Sequence, residues 1–408
     1  MTPITAAIQT SKFILLTLCI ACTSPYHTQN QYLPKYQTGK LQEAECSLKK
    51  IITQEMSERS FVQSRNAVWY LLNLATIEFA RGNIKEAIST YHLALNALDY
   101  YAQPSSDDLT AQLVLEDQYS GFTGFPYEQT LARLYFSLAL IQNGDMNNAE
   151  AVLRETEEKQ LFPNPLCKYL FAHLLAKRSD ISNAKILCPQ IEITTKPQVI
   201  VLCHNGSTPI KVSAIAPASD ASLVALELFL QGNKRPFALS SIPGIQVPML
   251  ATYPNSYPRC IFASINHVEK PLNCYYNIAK DAQYALSKER STLIAKGVAR
   301  YLIRRSLIFV ANEQDESLGA IADFGCFIAN ALTEADTRSW ETLPYSIDLA
   351  HFETNTGMIP FTLKITGPCT PYYIHKTLCL KEGDLCIINI FNKTPYFHTI
   401  HIPKQFLI

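Results

Sequence analysis

The chain has 408 residues, enough for about two or three domains, and its 35 basic and 35 acidic side chains give a formal net charge of zero. This balance excludes a strongly basic protein of the kind that binds nucleic acid through its overall charge. A hydrophobic fraction of 48% permits large cores and excludes global disorder. Only 14 glycines are present, about half the usual ~7% share, which argues against glycine-rich phosphate-binding loops.

The N-terminus predicts a secretory signal peptide. Lys12 is the only charge before an apolar run that extends from Phe13 to Ala21. About nine apolar residues are typical of a signal-peptide core and fall far short of the ~20 that a membrane-spanning helix needs. We therefore expect a signal peptide over residues 1–21.

A lipid-attachment site follows the apolar run. The segment Leu18–Cys22 resembles a bacterial lipobox, although Cys19 stands where leucine is usual. We expect acylation of Cys22 and a polar tether over residues 22–36. Thr23 follows the cysteine in place of Asp, which by resemblance to Gram-negative lipoproteins implies the outer membrane, facing the periplasm. The alternative is an ordinary cleaved signal in which Cys22 is incidental.

A short pattern recurs four times in the first half of the chain. Each copy holds a turn residue, a polar residue, an apolar residue and, three positions later, an alanine: Gly39–Ala44, Gly82–Ala87, Gly144–Ala149 and Ser179–Ala184. The turn residue must tolerate a positive φ, and the alanine lets two helices approach closely. The copy around Gly82 fits a tetratricopeptide repeat. We expect tetratricopeptide-like helical hairpins over residues 37–190, with an insert at about 101–126 and with the weaker copies, at Ala44 and Ala184, more tolerant of change.

The concave groove of these repeats is predicted to be apolar. The positions that line it carry large hydrophobic side chains: Trp69, Leu72, Phe79, Leu131, Leu134 and Leu138. Such a surface is unfavourable in water, so something must cover it. Two alternatives are open: a hydrophobic segment of a partner protein, or the chain's own insert or second domain.

The second half of the chain predicts an α+β domain over residues 197–408. After Pro189 the spacing of apolar residues changes from about 3.6 to about 2, which indicates strands instead of helices. Helices are expected at about 276–335. Strands, then helices, then strands predict an antiparallel sheet or sandwich. The expected strands are 198–203, 210–215, 245–250, 259–266, 345–350, 359–365, 372–378, 384–391 and 399–402.

Four blocks of the sequence resemble an uncharacterised family of bacterial envelope lipoproteins. They are Tyr119–Glu128, Leu131–Asp145, Val199–Gly206 and, most specifically, Ala335–Pro344 around Trp340. The resemblance implies a lipoprotein signal, tetratricopeptide-like helices and a mixed C-terminal domain. It implies no activity, because none is established for the family.

No motif of the chain predicts a reaction. Nucleophile-elbow, zinc-protease, P-loop and dinucleotide-binding patterns are absent from the sequence. His398 and His401 would point to opposite sides of a strand, so no metal site is predicted, and no cofactor either. Asp336, Arg338 and Glu341 surround Trp340. We expect them to cap a helix and form salt bridges while Trp340 packs in the core.

Ten cysteines follow Cys22, and none forms a C-x-x-C pair. Most are expected to be small buried hydrophobic residues, as at Cys167 and Cys326. In an oxidising envelope Cys369 could pair with Cys379 or Cys386.

The sequence favours a lipid-anchored, non-catalytic envelope protein that acts as an interaction scaffold or assembly factor through its helical repeats. Its expected partners are membrane lipid, through acylated Cys22, and other envelope proteins. Neither nucleic acid nor a small-molecule substrate is expected. Two alternatives are open: an enzyme with a site near Asp336, Arg338 and Trp340 between the domains, or a structural envelope component cross-linked through cysteines.

Overall fold

The computed structural model describes residues 25–56, 64–102, 120–216, 245–252, 258–314, 335–366, 372–391 and 397–402. The fold is mixed α+β, with helices in the N-terminal half and sheets in the C-terminal half, as the sequence predicts. The expected signal peptide, Cys22, most of the insert at 101–126 and residues 315–334 of the expected helices at 276–335 lie outside the described residues. Within the described residues, no helix is both long enough and apolar enough to cross a membrane.

The N-terminal half consists of helical hairpins. Its helices are α1 Pro25–Gln37, α2 Leu41–Met56, α3 Ala67–Arg81, α4 Ile84–Tyr101, α5 Pro126–Gln142, α6 Met146–Lys159, α7 Pro165–Lys177 and α8 Ile181–Leu187. The recurring pattern marks the turns inside the pairs. The turn residues all have a positive φ: Gly39, Gly82, Gly144 and Ser179. The four alanines are fully buried: Ala44, Ala87, Ala149 and Ala184.

Helices α3, α5 and α7 form the inner layer of this half. Helix α3 is apolar nearly all round, and each of its residues from Ala67 to Ala80 is buried. A helix with that composition needs packing partners on every side. Helix α6 instead buries a stripe that includes Ala149 and Leu153, and its other faces are mostly exposed. The inner helices therefore face the C-terminal half, and α4, α6 and α8 lie outside.

The predicted polar tether is wrong for residues 25–36, because these residues form helix α1. Tyr32, Leu33 and Tyr36 are buried in the core. The sequence gives little sign of this helix, since the segment is polar and carries Pro34 in its interior, where proline normally interrupts a helix. Packing against the rest of the chain therefore decides its conformation.

The C-terminal half contains eleven described strands and one long helix, α9. The elements are β1 Gln198–Asn205, β2 Ile210–Ile215, β3 Gln246–Ala251, β4 Ile261–Ile265, β5 Val268–Pro271, β6 Asn273–Asn277, α9 Ile278–Gln314, β7 Ser346–Glu353, β8 Gly357–Ile365, β9 Tyr372–Leu380, β10 Leu385–Phe391 and β11 Phe397–Ile402. They form a five-stranded sheet in the order β11-β10-β1-β7-β6, a four-stranded sheet in the order β5-β4-β8-β9, and a β2-β3 ribbon.

The five-stranded sheet is mixed, not purely antiparallel as expected. Strand β1 pairs in parallel with β10 and antiparallel with β7. Both β1 and β10 are buried along their whole length, as central strands with two covered faces are. The sequence does not predict β5 and β6, which are only four and five residues long and alternate weakly between apolar and polar residues.

The five-stranded sheet is the middle layer of the molecule. Alternate side chains of β1 point to opposite sides. Val199 and Val201 pack against the four-stranded sheet, and Ile200 and Leu202 pack against the helices. The two sheets therefore form a sandwich, and the helical hairpins cover its outer face on one side.

Candidate functional site

The three residues that the sequence suggests for an enzyme site lie between the N-terminal and C-terminal halves of the chain. They belong to residues 335–343, here called the interface segment, which has no regular secondary structure. The structure brings Asp336, Arg338 and Trp340 close to the inner helices. Side chains of Arg338, Trp340 and Glu341 are each only 1% exposed. The helix expected just before these residues lies outside the described residues, so the expectation that they cap it stays a prediction.

Arg338 and Asp336 form an ion pair in which the Arg338 side chain is 1% and the Asp336 side chain 22% exposed. The guanidinium donates from Nε and Nη2 to the two oxygens of Asp336, at 2.9 and 2.8 Å. Burial alone would raise the pKa of Asp336, but Arg338 holds it below its ordinary value. The remaining donors of Arg338 bind acceptors of the helical half: the Arg65 carbonyl, Asn66 Oδ1 and the Ser120 carbonyl. The pair therefore ties the interface segment to the loops at the ends of the inner helices.

Trp340 packs in the core, as expected. Its indole Nε1 donates to Thr76 Oγ1 at 2.9 Å and to Thr342 Oγ1 at 3.1 Å. The ring lies edge-on to Tyr135, with centroids 5.4 Å apart, and Tyr91 lies 6.4 Å away. The indole thus fills the space between α3, α4 and α5.

Glu128, in the first turn of α5, binds the backbone of the same segment. One carboxylate oxygen accepts the amide of Phe125, just before the helix, at 2.7 Å, and the other accepts the amide of Trp340 at 2.8 Å. Burial raises the pKa of Glu128 in spite of these two bonds. A carboxylate at the start of a helix is favourable, and here it also fixes the interface segment.

Glu341 accepts hydrogen bonds from neutral donors of three elements. Its partners are Gln29 Nε2 at 2.6 Å, Tyr32 OH at 2.9 Å, Trp69 Nε1 at 2.9 Å, Asn73 Nδ2 at 2.8 Å and the Ser339 amide at 3.3 Å. Burial raises the pKa of this carboxyl to about 7, and the hydrogen bonds oppose the rise. The salt bridge expected of Glu341 is not among these contacts. No feature of the sequence predicts this cluster of neutral donors around Glu341.

The predicted groove is filled by the chain itself. All six residues assigned to it are at most 1% exposed: Trp69, Leu72, Phe79, Leu131, Leu134 and Leu138. Phe79 lies edge-on to Phe391 of β10, with ring centroids 5.4 Å apart, and Trp69 binds Glu341. Of the two alternatives left open by the sequence, the structure shows coverage by the second half. These six residues are therefore core residues and not an accessible partner-binding surface.

The described cysteines are all free thiols. Cys379 lies on the exposed side of β9, whereas Cys386 is buried in the other sheet, so these two do not face each other. Burial raises the pKa of Cys386 to about 12. Cys326 and Cys369 lie outside the described residues. Among the residues that the structure describes, no group of three or more His, Cys, Asp or Glu side chains is placed to hold a metal ion.

Comparisons with family models, curated proteins and solved structures give no match to this chain. The resemblance to envelope lipoproteins is carried by its sequence blocks and stays a prediction.

Proposed function

We propose that the chain is a lipid-anchored, non-catalytic protein of a bacterial envelope that acts as an interaction scaffold or assembly factor. One observation carries the non-catalytic part: the charged groups of the candidate site are bonded to the chain's own atoms. A general acid or base must come within hydrogen-bond reach of its substrate. Arg338 and Glu341 are 1% exposed and fully engaged, which favours a structural role over the enzyme alternative.

The scaffold part rests on the helical hairpins, which we interpret as divergent tetratricopeptide repeats. The positive φ of each turn residue and the full burial of each alanine support this interpretation. Because the inner groove is filled, a partner that binds the helical half would contact its outer layer. Leu93 and Tyr100 of α4 are 43% and 55% exposed and lie seven residues apart, so they share one face of the helix. We assign the envelope-protein partner surface to this face.

Two variants in one complementation assay separate the scaffold from the enzyme. Replacing both Leu93 and Tyr100 by Asp should abolish function without unfolding the protein, because both side chains already contact water. Asp336→Asn keeps an acceptor for Arg338 and should retain function in protein that circular dichroism shows to be folded. A catalytic carboxylate contributes about 10²–10⁴-fold to a rate. Loss of function in folded Asp336→Asn, with activity retained in the α4 variant, would favour the enzyme.

The anchor has its own test at Cys22. Cys22→Ser should stop incorporation of a fatty-acid probe and release the protein from the membrane fraction. Stable attachment needs two hydrophobic anchors, which a lipoprotein diacylglyceride and its amide-linked acyl chain supply. Continued acyl labelling of Cys22→Ser would show that the lipobox interpretation is wrong.

A further inference from the structure

Helix α1 has a sequence that does not favour a helix on its own. It has 13 residues and contains Pro34 in its interior. Proline lacks the amide that would bond to the carbonyl one turn earlier. Isolated helices of this length are marginal in water even when rich in alanine. The helix therefore depends on the surface against which it lies.

Three polar side chains of one α1 face bind the interface segment. Gln29 Nε2 donates to Glu341 Oε1 at 2.6 Å and to the Thr337 carbonyl at 3.1 Å. Tyr32 OH donates to Glu341 Oε2 at 2.9 Å, and Tyr36 OH donates to the Thr342 carbonyl at 2.9 Å. Each of these three side chains is nearly or fully buried.

The interface segment keeps much of its bonding when α1 is removed. Glu341 would still accept Trp69 Nε1, Asn73 Nδ2 and the Ser339 amide. Water could replace the two donors of α1, because the departing helix opens that side of the carboxylate. Trp340 has its bonds to Thr76 and Thr342, which do not involve α1. These contacts of Glu341 and Trp340 therefore do not depend on α1, and a local opening is cheaper than global unfolding.

We propose that α1 is a detachable strap: it is helical while Gln29, Tyr32 and Tyr36 are seated on the interface segment, and it becomes an extended tether when they leave. The role of the strap rests on the proposed function, because α1 connects the body of the protein to acylated Cys22.

The two states set different distances between the body and the membrane. With α1 seated, Thr28 is buried and chain length holds Cys22 within about 20 Å of it. With α1 extended, the chain from Cys22 to Leu41 can span roughly 60 Å. The partner surface on α4 would reach correspondingly farther from the bilayer.

Hydrogen exchange of the full chain tests the strap. Amides of residues 28–37 should exchange faster than those of α3 in the folded wild type. Tyr32→Phe removes one donor to Glu341 and should accelerate exchange in α1 by about two- to tenfold, with α3 unchanged, since a hydrogen bond contributes about 0.5–1.5 kcal/mol. Tyr36→Phe, which loses the bond to Thr342, should do the same and serves if Tyr32→Phe does not fold.

Tyr91→Phe is the matched control. Its hydroxyl is equally buried, and its hydrogen bond goes to Thr76 in α3 and not to the interface segment. Equal exchange rates for α1 and α3 in the wild type would overturn the strap, as would acceleration of α1 by Tyr91→Phe as large as that by Tyr32→Phe. Hydrogen exchange of the Cys22→Ser protein tests the strap without the anchor, whereas acyl labelling tests the anchor alone. The two proposals can therefore fail separately.

Discussion

Glu341 and His173 are buried titratable residues with opposite effects on stability. Burial raises the pKa of Glu341 from 4.5 to about 7. Burial, with contributions from His351 and Lys177, lowers the pKa of His173 from 6.5 to about 3. The folded protein therefore favours the neutral form of each side chain. Glu341 contributes stability that is fully present below pH 4.5 and lost as the pH rises to about 7, whereas the contribution of His173 is present above pH 6.5 and lost on acidification.

The effect of Glu341 on pH dependence can be isolated by substitution. Glu341→Gln keeps the shape of the side chain and removes its titration. The stability of the variant relative to wild type should rise by about 3 kcal/mol between pH 4.5 and pH 7, since one pKa unit corresponds to about 1.4 kcal/mol. Urea unfolding at several pH values measures this difference. A constant offset between the two proteins would contradict it, and His173→Phe should instead gain relative stability as the pH falls below 6.5.

A second prediction at the residue scale concerns two equivalent turns. Gly144 and Ser179 both have a positive φ, 84° and 66°, but Ser179 carries a Cβ. A Cβ on Gly144 would meet no atom within 4 Å, so strain in the backbone alone should decide the effect of substitution there. We expect Gly144→Ala to lose, and Ser179→Gly to gain, about 1 kcal/mol of unfolding free energy. Thermal or urea unfolding measures both, and changes of the same sign would show that the turns are not equivalent.

The environment of an individual residue could be predicted from the sequence only where the chemistry of that residue determines it. The burial of Trp340 follows from the size of its apolar ring, although its sequence neighbours Ser339 and Glu341 are polar. The cluster of neutral donors around Glu341 could not be predicted, because Gln29 and Asn73 are 312 and 268 residues away along the chain. Only the packing of the helices onto the interface segment brings them together.

At the scale of elements, strand and hairpin positions were predictable because they repeat a local pattern. The turn residue and alanine locate the hairpins, and alternation locates β2 and β8 within two residues. The conformation of α1 and the parallel pairing of β1 with β10 were not predictable. Both depend on which distant surface covers the element, and neither leaves a periodic signal in its own residues.

Because all four repeat alanines are fully buried, the expectation that Ala44 tolerates substitution changes. Ala87→Glu and Ala149→Glu should each cost several kcal/mol, because a buried carboxylate without a partner is strongly unfavourable. Ala44 is as buried and lies in a 16-residue helix between α1 and α3, so Ala44→Glu should be as severe. Ala184 lies in the seven-residue α8 at the end of the stack, and displacement of that short helix should limit the loss. Urea unfolding of the four variants checks this order; four equal, small losses would show that the pattern does not mark helix crossings.

At the scale of the whole molecule, the two predicted domains share one core. A single hydrophobic cluster includes Leu72 and Leu134 of the inner helices together with Ile200 and Ile387 of the five-stranded sheet. Domains that fold alone have cores of their own. The inner helices instead complete their packing with the sheet and the interface segment. We therefore expect the boundary near residue 190 to be a change of secondary structure inside one cooperative unit.

This shared core predicts that the helical half does not fold by itself. Residues 25–190 alone would expose the apolar faces of α3, α5 and α7 to water, so they should aggregate or lose helicity, whereas the full chain should unfold in one transition. The two tryptophans report on the contact directly, because Trp69 binds Glu341 and Trp340 binds Thr76 across the boundary between the halves. Tryptophan fluorescence and far-ultraviolet circular dichroism should therefore follow the same urea curve in the full chain. A soluble, monomeric and helical fragment 25–190, or a fluorescence change that precedes the loss of helix, would show that the halves are separate domains.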